Sequence, residues 1–275
     1  MAENSHASIV IVHGLSEFSK KYYEIATYFL NQGYNVFLFD QRCHGLSDRL
    51  TERIDLIHVD RFDDYAADLE QYINAVVLPA DPKPLYLYSH SMGGAVVALY
   101  LARHPDVVEK AVLSAPLVEP RVTIVPQTIA RIGMRIGAIV RGKKVKPAFS
   151  KNFNPEHPYH PEAEPSKNRF YHNLNMRRNE PRYQTTPMTL GWIDQSLRLK
   201  GRLLKRSVAG AIKTPILLLS AELDTVVINE AQHQFADRCP ACKLEIIPGT
   251  NHSLLTGNYE TMTTVITRTL DFYRD

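Results

Sequence analysis

The segment Leu85-Tyr-Leu-Tyr-Ser-His-Ser-Met-Gly-Gly94 decides the fold. Its apolar first part, Leu85 to Tyr88, has strand character and runs straight into Ser89-His90-Ser91-Met92-Gly93. A helical stretch follows from Gly94 to Arg103. Strand, sharp turn, serine, helix is the context of a nucleophile elbow, where the turn lifts a hydroxyl clear of the sheet edge. The helix beginning beside the serine points backbone N–H groups and the positive end of its dipole at the same place. Strand and helix approach closely there, so small residues are needed two before and two after the serine. Ser89 and Gly93 occupy those positions, Ser89 standing where Gly is the common choice. The plainer alternative is an N-cap serine in an ordinary α/β turn. The rest of the chain argues against it.

Outward from the elbow, apolar runs and helical periods alternate. Ser8 to Val12, Asn35 to Phe39, Lys110 to Ser114, Pro215 to Ser220 and Lys243 to Ile247 read as strands. Phe18 to Gln32, Val59 to Leu78, Asn229 to Arg238 and Tyr259 to Tyr273 read as helices. Continuous apolar strands alternating with helices predict an α/β fold with a mostly parallel sheet covered on both faces. Ligands of such sheets bind outside the carboxyl ends of the strands.

Composition adds a boundary. The 275 residues are 44% apolar and 22% charged, with a net charge of +3. This suits a globular chain with a sizeable core, and no apolar run approaches the ~20 residues of a membrane span. The polar start, Met1 to Ser8, lacks the layout of a signal peptide. A cytoplasmic protein, at most peripheral to a membrane, is expected. Cys43, Cys239 and Cys242 make no disulfide framework, and Cys239-Pro-Ala-Cys242 reads as loop packing. The charge is unevenly spread. Residues 118–206 hold 18 Lys/Arg against 6 Asp/Glu, and the remainder 14 against 23. Between Pro120 and Pro155 lie eight basic residues and no acid. The expected organisation is therefore a core of residues 1–117 and 206–275 with a basic helical cap of residues 118–205 lying over the strand ends. In this cap the apolar stretch Val122 to Val140, after Pro126, and the stretches Ser166 to Met176 and Met188 to Leu204 read as helices. Such a field suits an anionic membrane surface or a phosphate-bearing substrate, or is simply a solvated face. Nucleic acid is not expected, because Phe149 is the sole aromatic residue from 120 to 150 and stacking needs several.

A serine hydroxyl needs a base to take its proton, and the base needs an orienting carboxylate. Asp224 follows the strand ending at Ser220, and His252 follows the strand ending at Ile247. Ser91, Asp224, His252 is the chain order of α/β-hydrolase triads, with each residue just past a strand's carboxyl end. Glu222 is the rival acid, and His90, beside the nucleophile, is assigned a packing role. The oxyanion donors should be the backbone N–H of Met92 and that of Leu15, in the loop His13-Gly-Leu-Ser16 after the first strand.

These residues resemble the α/β-hydrolase superfamily, and within it the group of monoglyceride lipases and bacterial lysophospholipases. His13 to Tyr22 is similar to that group's first oxyanion loop, and Asp40-Gln-Arg-Cys-His-Gly-Leu-Ser-Asp48 to its Asp-x-Arg-Gly-His-Gly-x-Ser segment. Thr189-Leu-Gly-Trp-Ile-Asp194 resembles a segment in the lids of its bacterial members. The resemblance implies hydrolysis of a single acyl ester on a glycerol-type alcohol, with no cofactor. The acyl chain is then expected to lie in an apolar groove between core and cap, lined by Val122 to Val140. The alternatives are an acyltransferase or thioesterase using the same acyl-enzyme, and a catalytically silent lipid-binding protein. Cys43 stands where the group has Gly. The chain also starts at the strand that the fold places third, with no sequence for the opening antiparallel hairpin. Strand 35–39 should then be an apolar edge, which invites pairing with a second chain. The expectation is either a short six-stranded variant, with a homodimer paired through that edge, or a sequence cut short at its start.

Overall fold

The computed structural model describes residues 5–81, 84–122, 125–162 and 164–275. Among the described residues six strands, β1 (Ala7–Val12), β2 (Tyr34–Leu38), β3 (Leu85–His90), β4 (Lys110–Ser114), β5 (Ile216–Ala221) and β6 (Cys242–Ile247), form one sheet. Their order is β2-β1-β3-β4-β5-β6, with every neighbouring pair parallel. Side chains on a strand alternate between faces, so β1 feeds two cores. Val10 and Val12 pack with Phe62, Tyr65, Leu87 and Val96 on one face. Ile9 and Ile11 pack with Phe29, Tyr88, Leu219 and Val265 on the other. Both faces of β1 are buried, which is why its sequence is apolar without alternation.

The helices that cover these faces are α1 (Tyr23–Asn31), α2 (Phe62–Tyr72), α3 (Met92–Leu101), α8 (Asn229–Arg238) and α9 (Tyr259–Arg274). Every residue of α3 is buried, as its uniformly apolar sequence requires. Two expected helices differ in detail. The stretch from Phe18 begins as a 3₁₀ turn, Ser19–Tyr22, before α1. Beyond α2 the helix widens into π geometry over Ile73–Val77 and closes with one more turn, Leu78–Ala80.

Between β4 and β5 the chain forms α4 (Gln127–Val140), α5 (Lys167–Asn179), α6 (Leu190–Ser196) and α7 (Leu199–Leu203). The single helix expected from Met188 to Leu204 is thus two, broken at Leu197 and Arg198. Thr123 and Ile124 of the apolar stretch from Val122 to Val140 lie outside the described residues. This segment is tied to the sheet side of the molecule at several points. The Ile57 N–H donates to the Pro187 carbonyl at 2.9 Å, and the Thr189 N–H returns a bond to the Ile57 carbonyl at 3.0 Å. Tyr183 stacks on Phe18 at 4.0 Å, and the Arg169 guanidinium forks onto both oxygens of Glu24 at 2.8 and 2.7 Å.

The face of α4 is unexpected. Its small residues Ala130 and Ala138 are buried, and Gly137 abuts Leu190 of α6. Its isoleucines point outward: Ile129, Ile132, Ile136 and Ile139 are 58%, 57%, 55% and 73% exposed. The expectation that this stretch lines an apolar groove is corrected accordingly: its large side chains face solvent. β2 is the edge strand, as anticipated, and α2 leans on its end. Tyr72 donates its hydroxyl to the Leu38 carbonyl at 3.0 Å and stacks on Phe39. Among the described residues no helix is long and apolar enough to cross a membrane.

Candidate active site

The chain leaves β1 for β2 on one side and returns to β3 on the other, so the loops after β1 and β3 flank the point where strand order reverses. That is where open α/β sheets bind ligands. Ser91 follows the last residue of β3 with φ 50° and ψ −116°, a conformation L-residues rarely adopt. The elbow is pinned around it. The Ser91 N–H donates to the Ser114 carbonyl at 3.0 Å, and the Ser91 carbonyl accepts from Leu117 at 2.8 Å and Gly94 at 2.9 Å. Gly93 is required by space: a Cβ there would lie 2.2 Å from the Val12 carbonyl oxygen. Ser89 fits because its hydroxyl, fully buried, donates to the Val112 carbonyl at 3.1 Å.

Ser91 Oγ lies 2.9 Å from His252 Nε2, and His252 Nδ1 lies 2.7 Å from Asp224 Oδ2. The structure thus brings the three side chains together. Asp224 is held from behind. Its Oδ1 accepts the N–H groups of Val226 at 2.8 Å and Val227 at 2.9 Å. Burial works to raise the Asp224 pKa, but the bond to His252, that ring's charge and these two N–H groups outweigh it, and the net shift is down. The rival Glu222 points elsewhere and accepts the Gly249 N–H at 2.7 Å. His90 packs its ring 5.0 Å from that of His252 and does not enter the chain. Burial pushes its pKa down to about 4.

The loop after β1 lies against the nucleophile: a Cβ on Gly14 would sit 3.2 Å from Ser91 Cβ. Gln41 donates its backbone N–H to His13 Nε2 at 3.0 Å, so the neutral ring carries its proton on Nδ1, which donates to the Gly14 carbonyl at 2.8 Å. Burial lowers the His13 pKa, consistent with a neutral ring. In a trans peptide the C=O and N–H point oppositely. The bond that takes the Gly14 carbonyl thus aims the Leu15 N–H away from His13. Met92 is the first residue of α3, so its N–H has no partner within the helix.

Three residues that sequence reasoning left without a role frame this loop. The Glu17 carboxylate accepts the Gly14 N–H, and the Gln41 side chain donates to the His13 carbonyl, each at 2.6 Å. Asp40 bridges the backbone N–H groups of Ser19 at 2.6 Å and Leu46 at 2.7 Å. All three fall inside the quoted motif segments, but nothing in their spacing reveals which way a carboxylate turns. Cys43 adopts φ 60°, the left-handed conformation natural to Gly, and is fully buried.

A cavity of about 470 Å³ opens beside His252, lined by Leu223, Thr250 and Ser253 and, from the segment between β4 and β5, by Glu162, Glu164 and Pro165. The Asn251 amide donates to the Glu162 carbonyl at 2.9 Å, joining that segment to the histidine loop. Among the described residues no group of histidine, cysteine and acidic side chains could hold a metal ion.

Residues 3–258 match the Hydrolase_4 family, serine aminopeptidase S33. Lysophospholipase L2 of Escherichia coli K12 is 31% identical over 246 residues, covering 86% of this chain and 69% of that protein. Probable lysophospholipase L2 of Haemophilus influenzae is 29% identical over 249 residues, covering 90% and 77%. A soluble variant of the Saccharomyces cerevisiae monoglyceride lipase, solved with a substrate analogue, superposes with a TM-score of 0.74 at 19% identity, over 98% of this chain and 88% of that one. The chain is a serine carboxylester hydrolase of the α/β-hydrolase superfamily and belongs to its lysophospholipase and monoglyceride-lipase-like group.

Proposed function

We propose that the chain hydrolyses single-acyl lipid esters, lysophospholipids or monoacylglycerols, through an acyl-enzyme on Ser91. The observation that carries this reading is the unbroken run Ser91 Oγ, His252, Asp224 at 2.9 and 2.7 Å. His252 Nε2 takes the hydroxyl proton as Oγ attacks the ester carbonyl carbon. The carbonyl π electrons move to oxygen, and the N–H groups of Leu15 and Met92 receive the oxyanion. As the carbonyl re-forms, the bond to the leaving alcohol breaks and His252 gives that alcohol its proton. Water then repeats the sequence on the acyl-enzyme, releasing the fatty acid and restoring Ser91. Asp224 holds the imidazole in one tautomer throughout.

The substrate class rests on the relatives that carry lysophospholipase and monoglyceride lipase names. A long acyl chain gains about 0.8 kcal/mol per buried methylene, which would favour lipids over acetate. Residues 118–205 would act as a cap, a role favoured by the contribution of Glu162, Glu164 and Pro165 to the cavity at His252. The isoleucine stripe of α4 is bordered by Arg131, Arg135, Arg141 and Lys143. An exposed apolar stripe edged with cations is suited to lying in an anionic bilayer surface, where the substrate resides. Pairing of two chains along β2 is a further expectation, motivated by its edge position.

The test is a hydrolysis panel of lysophosphatidylcholine, monoacylglycerols of graded chain length and aminoacyl arylamides. Turnover of either single-acyl lipid, rising with chain length and lost in Ser91→Ala, is expected. Turnover of the arylamides alone would refute the lipid assignment.

A further inference from the structure

We infer that Glu17 is a positioning residue for the oxyanion loop: its buried carboxylate fixes the backbone of Gly14 against Ser91 and so sets where the Leu15 N–H points. The inference deepens the proposed function and rests on Leu15 and Met92 being the oxyanion donors. Glu17 is 7% exposed. Its Oε2 accepts both the Gly14 N–H and the Tyr22 hydroxyl at 2.6 Å, and Oε1 pairs with the Lys21 ammonium. A carboxylate can accept all three donors at once, which no neutral side chain of its size can do. Gly14 is thereby caught between two fixed bodies. A Cβ added to it would meet Glu17 Oε2 at 2.8 Å on one side and Ser91 Cβ at 3.2 Å on the other.

The two peptides of Gly14 are held independently. The one before it gives its N–H to Glu17. The one after it gives its carbonyl to His13, leaving the Leu15 N–H directed the other way. With both ends fixed, the donor is in place before charge develops, which is the condition for oxyanion stabilisation to lower the barrier. A negative side chain beside a developing oxyanion carries a drawback, because it repels that charge. Lys21 answers it. Its side chain is only 15% exposed, and the ion pair sets a positive charge directly against the carboxylate. The three donors come from residues 14 to 22, so the loop and the 3₁₀ turn Ser19–Tyr22 close around one carboxylate.

The test uses the full chain and a soluble p-nitrophenyl ester, with a trifluoromethyl ketone as the tetrahedral-adduct probe. Glu17→Ala is expected to lower kcat about 10²-fold, leave KM within about threefold and weaken the ketone by a similar factor. The pH at which kcat/KM falls on the acid side should stay put, since His252 is untouched. Glu17→Gln alone sets an amide NH₂ against the Lys21 ammonium and should lose activity as well. The double variant Glu17→Gln/Lys21→Gln lets the amide oxygen accept from Gly14 and Tyr22 while its NH₂ meets the new amide oxygen. It should recover most of the loss. Should Glu17→Ala not fold, the comparison of Glu17→Gln with the double variant decides alone. Unchanged kcat in folded Glu17→Ala, a loss confined to KM, or no recovery in the double variant would overturn the inference. Activity persisting in Ser91→Ala would instead overturn the reading on which it rests.

Discussion

Asp224→Asn is the substitution whose consequence follows most directly from the geometry. Asp224 divides its two oxygens between two tasks: Oδ1 takes the N–H groups of Val226 and Val227, and Oδ2 faces His252 Nδ1. An asparagine here has one acceptor. Two N–H groups demand that it be turned toward Val226 and Val227, because reversing it would bring NH₂ against both. The NH₂ group must then face His252. A donor at that position selects the tautomer with a bare Nδ1, so the proton sits on Nε2, against Ser91 Oγ. The base is still in place but already protonated at the atom that must accept. Nothing in the packing need move, since the amide and the carboxylate have nearly the same shape. The expected loss in kcat is about 10⁴, the scale seen when a triad histidine is forced into the wrong tautomer, equal to roughly 5 kcal/mol of barrier. Steady-state hydrolysis of a p-nitrophenyl ester measures it, with circular dichroism and thermal melting to show an intact fold. A folded Asp224→Asn enzyme within tenfold of wild type would refute the reasoning.

Three further outcomes follow from separate parts of the molecule. Burial holds the His44 pKa at about 3 and that of His90 at about 4, both below the unfolded value of about 6.5. The unfolded chain therefore binds these protons first as pH falls, so their contribution is complete above pH 6.5 and is lost on the way down toward those folded values. Between pH 7 and pH 5 the two should together remove on the order of 4 kcal/mol, and a urea midpoint unchanged over that range would contradict this. Gly93→Ala puts a methyl group 2.2 Å from the Val12 carbonyl oxygen and 2.8 Å from that of His13. It should destabilise by about 1–3 kcal/mol and also lower kcat by displacing the oxyanion loop; an unchanged melting temperature would show the contact to be relieved. Replacing Ile132, Ile136 and Ile139 together by Ser should weaken binding to anionic vesicles by roughly 100-fold, about 1 kcal/mol for each half-exposed side chain. Reversing the charge of Arg131, Arg135 and Lys143 should add roughly 1 kcal/mol per residue; flotation indistinguishable from wild type for both variants would remove the membrane surface from the account.

The elbow, the triad order and the parallel sheet could be read from the chain because each depends on local pattern. A buried strand is apolar throughout, and a tight strand-to-helix turn needs small neighbours such as Gly93. What could not be read depends on direction. The isoleucines of α4 recur at helical spacing, and that period says they share a face without saying which way it looks. Ala130, Gly137 and Ala138 share the opposite face and pack closely enough to win it. The choice between Glu222 and Asp224 was likewise open in sequence, two residues apart. In the structure the Gly249 N–H engages Glu222, while Val226 and Val227 hold Asp224 beside His252. The break at Leu197 and Arg198 had no glycine or proline to announce it. Glu17 was visible only as one letter of a motif. Its burial comes from the pairing with Lys21, one turn later in a loop whose shape no periodicity encodes.

The proposed route requires that the hydroxyl of Ser91 become covalently acylated during turnover. Reaction with a fluorophosphonate, followed by intact-mass and peptide mass spectrometry, tests it in a single measurement. One adduct per chain is expected, on the peptide that contains Ser91, and none in Ser91→Ala. An adduct on any other residue, or an active enzyme that the reagent neither labels nor inhibits, would contradict it.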